Sequence, residues 1–185
     1  MPYNPQIHHR RSTRLRDWDY SGPGWYYVTL CTHGRACDLG EVKENKVILS
    51  PIGRIAEETW RWLGDHHENV GLDGFVVMPN HLHGIIIIHE PLWGGSRTAP
   101  TEGITSKSLG RLIGAFKTIS TKRINEMKNS PGIIFWQRNF HDHIILNDAD
   151  LNRIRSYIEN NPLQWSIDEE NPESKNTPRA NVNGY

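Results

Sequence analysis

Apolar and polar positions along this chain fall into segments of two kinds, some alternating and some recurring at helical spacing. In Gly24–Cys31, GWYYVTLC, aromatic and β-branched residues crowd together behind a Ser21-Gly22-Pro23 turn signal, which predicts a strand. Lys46–Leu49 predicts a short second strand, ended by Ser50-Pro51. That dipeptide opens a helix, with Ser50 as N-cap and Pro51 at the first helical position, where its missing N–H leaves no bond unmade. Ile52, Ile55, Ala56, Thr59, Trp60 and Leu63 then recur at helical spacing as far as Gly64. Residues 75–78 and 81–88 predict two strands joined through Pro79-Asn80. Residues 91–105 hold three glycines and two prolines and repeat no period, so a loop is expected. Residues 106–127 predict a long amphipathic helix with Leu109, Leu112, Ile113, Phe116 and Ile119 as its stripe. Residues 140–146, FHDHIIL, predict the last strand. Asn147 or Asp148 caps a final helix that runs to about Asn161, where Pro162 should stop it.

The order is strand, helix, strand, strand, helix, strand, with one extra helix. It predicts an α+β, ferredoxin-like (split βαβ) antiparallel sheet backed by helices, with Tyr157 on the C-terminal helix. At 185 residues the chain is expected to be one domain with tails. The expected division is a basic arm over 1–19, a folded domain over 20–165 and an acidic, disordered tail over 166–185.

Charge changes this picture only locally. With 21 basic and 21 acidic residues there is no global polycation. Yet Arg10, Arg11, Arg14 and Arg16 lie in an N-terminal stretch without acids, and Lys107, Arg111, Lys117, Lys122 and Arg123 lie in another, while Asp168, Glu169, Glu170 and Glu173 gather late. Such stretches can meet phosphate, although a solvated basic face is the commoner explanation for either one separately. Two cysteines, Cys31 and Cys37, without CxxC spacing suggest a reducing, cytoplasmic setting. No signal peptide or membrane-length apolar run is expected, so no membrane partner is either.

The candidate chemistry starts at His81 and His83. One residue apart on a strand, they share a face, with Leu82 on the other. Neutral imidazole nitrogens side by side form an incipient metal site, or else two polar residues on the exposed face of an edge strand. On the last helix Tyr157 and Asn161 are four residues apart and therefore neighbours on one face. Asn161 offers a carbonyl oxygen that could complete a metal shell, which would set Tyr157 one turn from the ion. Spacing also allows Tyr157 to be a packing residue at the edge of the Leu151, Ile154, Ile158 stripe.

Three motifs in this order, MPNHLHGI at 78–85, FWQRNFHDHII at 135–145 and YIENNPLQW at 157–165, resemble the single-tyrosine HUH transposases of insertion sequences, most closely the REP-associated tyrosine transposase branch. The resemblance spans residues 24–165. It implies that His81 and His83 are metal ligands, Asn161 the third ligand and Tyr157 the nucleophile. His143 and Gln137 fall at matching positions and are implied as supporting residues. The 91–105 loop and the balanced charge depart from the compact, basic pattern of many relatives.

The resemblance further implies Mg²⁺ or Mn²⁺ as cofactor, and single-stranded or hairpin DNA as partner. The implied reaction is DNA transposition or recombination through a 5′-phosphotyrosine, by a monomer or homodimer. Two histidines favour Mn²⁺ or a loosely held Mg²⁺. Base stacking would fall to exposed aromatics such as Trp93 or Trp136. Two rival readings are a non-catalytic nucleic-acid binding module of the same fold, and a zinc-dependent hydrolase built on His81, His83 and His143.

Overall fold

The computed structural model describes residues 18–90, 107–168, 170–172 and 174. The basic arm with Arg10, Arg11, Arg14 and Arg16, the 91–105 loop and Trp93 lie outside the described residues. Strand β1, Gly24–Cys31, is followed by a hairpin of β2, Gly40–Lys43, and β3, Lys46–Leu49. Helix α1, Pro51–Asp65, leads to β4, Val70–Val77, and β5, His81–Ile88. Helix α2, Leu109–Met127, then β6, His141–Ile145, and α3, Asp148–Gln164, complete the domain. The main sheet has the order β4-β5-β1-β6, and every pairing is antiparallel. With the small hairpin set aside, this is the ferredoxin-like arrangement.

Sequence chemistry accounts for the boundaries. The Ser50 hydroxyl accepts from the Gly53 N–H at 3.0 Å and opens α1, and the Asn147 side chain accepts from the Asp150 N–H at 2.8 Å and opens α3. The β2–β3 turn places Glu44 and Asn45 at φ 50° and 61°. Two successive left-handed residues suit the strand twist of a tight hairpin. Helix α2 begins at Leu109, the first residue of its apolar stripe, rather than at residue 106, and the free N–H of Leu109 donates to the Tyr20 carbonyl at 2.9 Å. Pro162 does not stop α3; the helix carries it internally and runs on to Gln164. A proline in the last turn forfeits only one backbone bond, and here Asn161 before it is held buried in the site.

β5 is an inner strand with a layer on each side. Its even positions, Leu82, Ile86 and Ile88, join Tyr26, Val28 and Leu30 of β1 against Ala56, Trp60 and Leu63 of α1 and Leu112 and Phe116 of α2. Gly84 falls in the same register and leaves room for the Trp60 indole, since a Cβ there would stand 2.3 Å from Trp60 Cζ2. Its odd positions face α3, where Ile85 packs with Ile145, Leu151, Ile154 and Ile158 in a second, smaller core. Each such fully buried aliphatic side chain contributes roughly 1.5–3 kcal/mol. His81 and His83 lie on this odd face.

Two departures from the expected strands shape the surroundings of α3. β4 begins at Val70 rather than at residue 75, with a bulge between Leu72 and Phe75. The bulge turns Asp73 outward to receive Arg155 of α3 in a two-pronged pair, at 2.8 and 2.7 Å. Beyond α3, residues 165–167 form a single 3-10 turn, and the described residues that follow fold back on the β4–β5 turn. Asn171 is buried, and the Glu170 carbonyl accepts from the Asn80 side chain at 2.7 Å. The chain past 165, expected to be disordered, is thus packed against the domain as far as its described residues go.

Candidate active site

The two histidines are not on an exposed edge. His81 is fully buried and His83 is 3% exposed, with ring centroids 4.4 Å apart. Each has one nitrogen engaged by the scaffold. His81 Nδ1 lies 2.8 Å from Asn80 Oδ1, and His83 Nδ1 lies 2.7 Å from the Tyr27 hydroxyl and 2.9 Å from the Thr29 hydroxyl. Burial pushes the pKa of His81 down to about 4, against the opposing influence of Asp168 and Asn161. It holds His83 well below the usual imidazole range too, with His81 and His141 adding to the effect. Both rings are therefore neutral at pH 7 and keep a lone pair for a metal.

Asn161, on α3, is brought to the same place. It is buried, and its side chain acts on the protonation of His81, Tyr157 and Asp168. The other nitrogen of His81, Nε2, and the amide oxygen of Asn161 are buried without a hydrogen-bond partner. Leaving such atoms unpaired costs about 1–3 kcal/mol each, which a shared ligand would recover. Imidazole nitrogen and amide oxygen are both neutral donors that a divalent cation accepts. The residues present therefore fit the implied metal. Among the described residues no three His, Cys, Asp or Glu side chains form a metal-binding group.

Tyr157 stands beside this centre, its hydroxyl 3.5 Å from His83 Nε2 and its ring edge-on to His83 at 5.2 Å between centroids. The residue is 43% exposed. Partial burial of the phenol and the nearby Asp168 raise its pKa, while Asn161 and Tyr27 lower it, and the net direction is upward. A cavity of about 270 Å³ opens next to it, lined by Tyr27, His141, His143, Arg153, Ile154 and Tyr157. A larger concavity of about 930 Å³ lies between α2 and residues 131–138. It contains none of His81, His83, Tyr157 and Asn161.

The remaining candidates divide. His143 bonds Asp150 at 2.7 Å, and Asp150 also takes Arg153. His143 is thus turned to α3 rather than to His81 and His83, which removes the third histidine that the zinc hydrolase reading needs. Gln137 clamps its loop to the end of β1, bonding the Cys31 and Thr32 carbonyls at 2.9 and 3.2 Å. Lys117 donates to the Gln137 and Asn139 carbonyls, and burial lowers its pKa to about 8. Arg123 is paired with Glu58 of α1 at 2.5 Å. These two charges are committed inside the protein, and Lys107, Arg111 and Lys122 remain exposed on or beside a helix across the sheet from Tyr157. Trp136 is no stacking platform: it is 3% exposed and donates to the Ser120 hydroxyl at 2.9 Å.

Reading the sequence missed Tyr27, Thr29 and Asn80. For the first two a signal existed, since they alternate with the core residues Tyr26, Val28 and Leu30 and so had to share a face. Asn80 offered none beyond a turn residue.

No protein-family model matches the sequence. A Haemophilus influenzae strain Rd protein described as uncharacterized is 36% identical over 175 residues, which cover 90% of this chain and 96% of that protein. The chain belongs to the family of that protein. Among solved structures, it shares its fold with a REP-associated tyrosine transposase bound to a REP hairpin, at a TM-score of 0.54 and 17% identity, over 83% of this chain and 74% of that one. The fold is thus one on which a tyrosine transposase is built.

Proposed function

We propose that this protein cleaves and rejoins single-stranded DNA at hairpin-bearing sites, through a 5′-phosphotyrosine on Tyr157. The observation that carries the reading is the Tyr157 hydroxyl, 3.5 Å from His83 Nε2 beside a His81 nitrogen and an Asn161 oxygen that are buried and unpartnered. The fold shared with a hairpin-bound tyrosine transposase supports it, as do the three motifs at 78–85, 135–145 and 157–165.

A divalent cation, Mg²⁺ or Mn²⁺, held by His81, His83 and Asn161 would neutralise phosphate charge and orient the scissile bond. The residues do the rest. The Tyr157 phenol, protonated at neutral pH as an ordinary tyrosine is, gives up its proton to solvent as its oxygen bonds to phosphorus. The bond from phosphorus to the 3′ oxygen breaks, and that oxygen takes up a proton from solvent and leaves as a 3′-OH, so that one proton is released and one consumed. The new phosphotyrosine is a diester like the one broken, so a later 3′-OH can reverse the reaction without a nucleotide triphosphate. Tyr27, edge-on to Tyr157 with centroids 6.3 Å apart, limits where the phenol ring can swing.

Tyr157→Phe tests the proposal because it removes one oxygen and leaves the packing of a half-exposed ring intact. Wild-type protein mixed with a hairpin-bearing single strand and Mn²⁺ should give a protein–DNA adduct that survives a denaturing gel, and Tyr157→Phe should give none while still binding DNA. Adduct formation by Tyr157→Phe, or mapping of the adduct to Tyr27, would refute it.

A further inference from the structure

We infer that Asn80 is a positioning residue that fixes His81 as its Nδ1–H tautomer and so aims the bare Nε2 lone pair at the centre shared with Asn161. The inference concerns the metal reading given above, but its first test does not require metal or DNA.

Asn80 is fully buried in the turn between β4 and β5. Its amide cannot be turned round. Nδ2 faces two carbonyl oxygens, that of Glu170 at 2.7 Å and that of Arg35 at 3.3 Å. Both can only accept, so the group facing them has to be the NH₂, because a flipped amide would set oxygen against oxygen. Oδ1 therefore faces His81 Nδ1, at 2.8 Å. An amide oxygen can only accept as well, so Nδ1 carries the hydrogen. In a neutral imidazole the other nitrogen is then unprotonated, and Nε2 is the His81 atom that is buried without a partner. Histidine free in water favours the opposite tautomer, with the hydrogen on Nε2, which would present a donor to a cation.

The two acceptors that orient Asn80 come from distant parts of the chain. Arg35 belongs to the turn after β1. Glu170 belongs to the segment after α3, where the Arg35–Glu170 ion pair and the Asn171 bond to the Trp165 carbonyl hold it. The Thr32 N–H and hydroxyl grip the Asn80 carbonyl at 2.9 and 3.0 Å, which fixes the backbone beneath the amide. The tautomer of His81 is thus set by a relay that begins nearly 90 residues downstream, in a stretch whose composition suggested only an acidic tail.

The experiment is long-range ¹H–¹⁵N correlation NMR on the full chain without metal at pH 7.5, which reads the protonated nitrogen of each neutral imidazole from the two ring ¹⁵N shifts. Wild-type His81 should show the Nδ1–H pattern, and an Nε2–H pattern would overturn the inference outright, whatever any variant does. Asn80→Asp keeps an acceptor towards Nδ1 and, where folded, should retain the Nδ1–H pattern, although its second oxygen faces the Glu170 and Arg35 carbonyls and should lower stability. Asn80→Ala removes it and should move His81 towards Nε2–H. An unchanged tautomer in a folded Asn80→Ala, judged by its methyl spectrum, would also overturn it. Mn²⁺ titration of the same samples adds a separate readout. Asn80→Ala should weaken Mn²⁺ binding about 10–100-fold, the usual loss when a partner that orients a ligand is removed. A correct tautomer with no Mn²⁺ binding by wild type would leave this inference standing and defeat the metal reading instead.

Discussion

Replacing Gly84 by alanine sets two physical effects against each other, and the structure says which prevails. In a strand interior glycine is normally the weaker choice, so backbone entropy alone favours the alanine by roughly 0.5–1 kcal/mol. The added Cβ, however, would lie 2.3 Å from Trp60 Cζ2, 2.9 Å from Cε2 and 3.0 Å from Cη2. Carbon atoms rest at about 3.5–4 Å, so the indole has to retreat by more than about 1 Å. It has nowhere to go, being fully buried with Phe116 edge-on at 5.6 Å and Phe75 tilted at 6.2 Å. Overpacking of this kind costs about 1–3 kcal/mol. Gly84→Ala should therefore be destabilised in urea melts followed by circular dichroism, with the midpoint lowered and the slope unchanged. Adding Trp60→Leu should show a favourable coupling with the alanine, because the clash disappears with the indole. A Gly84→Ala protein as stable as wild type, or more so, would mean that entropy prevails and that the close approach of β5 to α1 does not select glycine.

Two further outcomes follow from charges. Arg155 holds the Asp73 carboxyl below the usual carboxylate range, helped by the Gly74 N–H, so the pair stabilises fully above about pH 4 and its contribution is lost as pH falls through the lower folded value. Arg155 is exposed and Asp73 only partly buried, so solvent screens the pair and Asp73→Asn should cost little stability at pH 7, and its stability should converge with wild type near pH 2; a gap of the same size there would rule out the ion pair as its source. Lys107 and Arg111 are exposed cations at the start of α2, and replacing both by glutamine should lower the slope of log K against log salt for single-stranded DNA by about 0.7 for each phosphate left without its cation. An unchanged slope would show that DNA does not run along α2.

Much of the fold could be read from local chemistry. Ser50 and Asn147 cap the helices that their side chains suggested, and alternation in β1 and spacing in α1 put Tyr26, Val28, Ala56 and Trp60 in the core. What could not be read depended on partners far away in the chain. Pro162 signals a helix end only if nothing holds Asn161, and the Asp73-Gly74 bulge looks like a turn until Arg155 arrives from 82 residues on. Lys117, Arg123 and Trp136 had the right types for DNA contact, but carbonyls, Glu58 and Ser120 engage them first. At the site the pair of histidines was legible and their surroundings were not, because Asn80 and Tyr27 act through hydrogen bonds that no periodicity announces.

β5 carries two messages in one strand. Read at every second residue it spells the histidines and Ile85 for one layer, and read at the residues between it spells Leu82, the Gly84 gap and Ile86 for the other. A single inserted or deleted residue upstream of His81 would exchange the two readings, burying imidazoles against Trp60 and offering aliphatic side chains to Asn161. The strand cannot slide, and neither message can be edited in length without destroying the other. In this domain the site cannot drift along its strand while the fold persists, so changes that retune it are confined to substitutions at fixed positions and to the segments that approach it from outside the sheet.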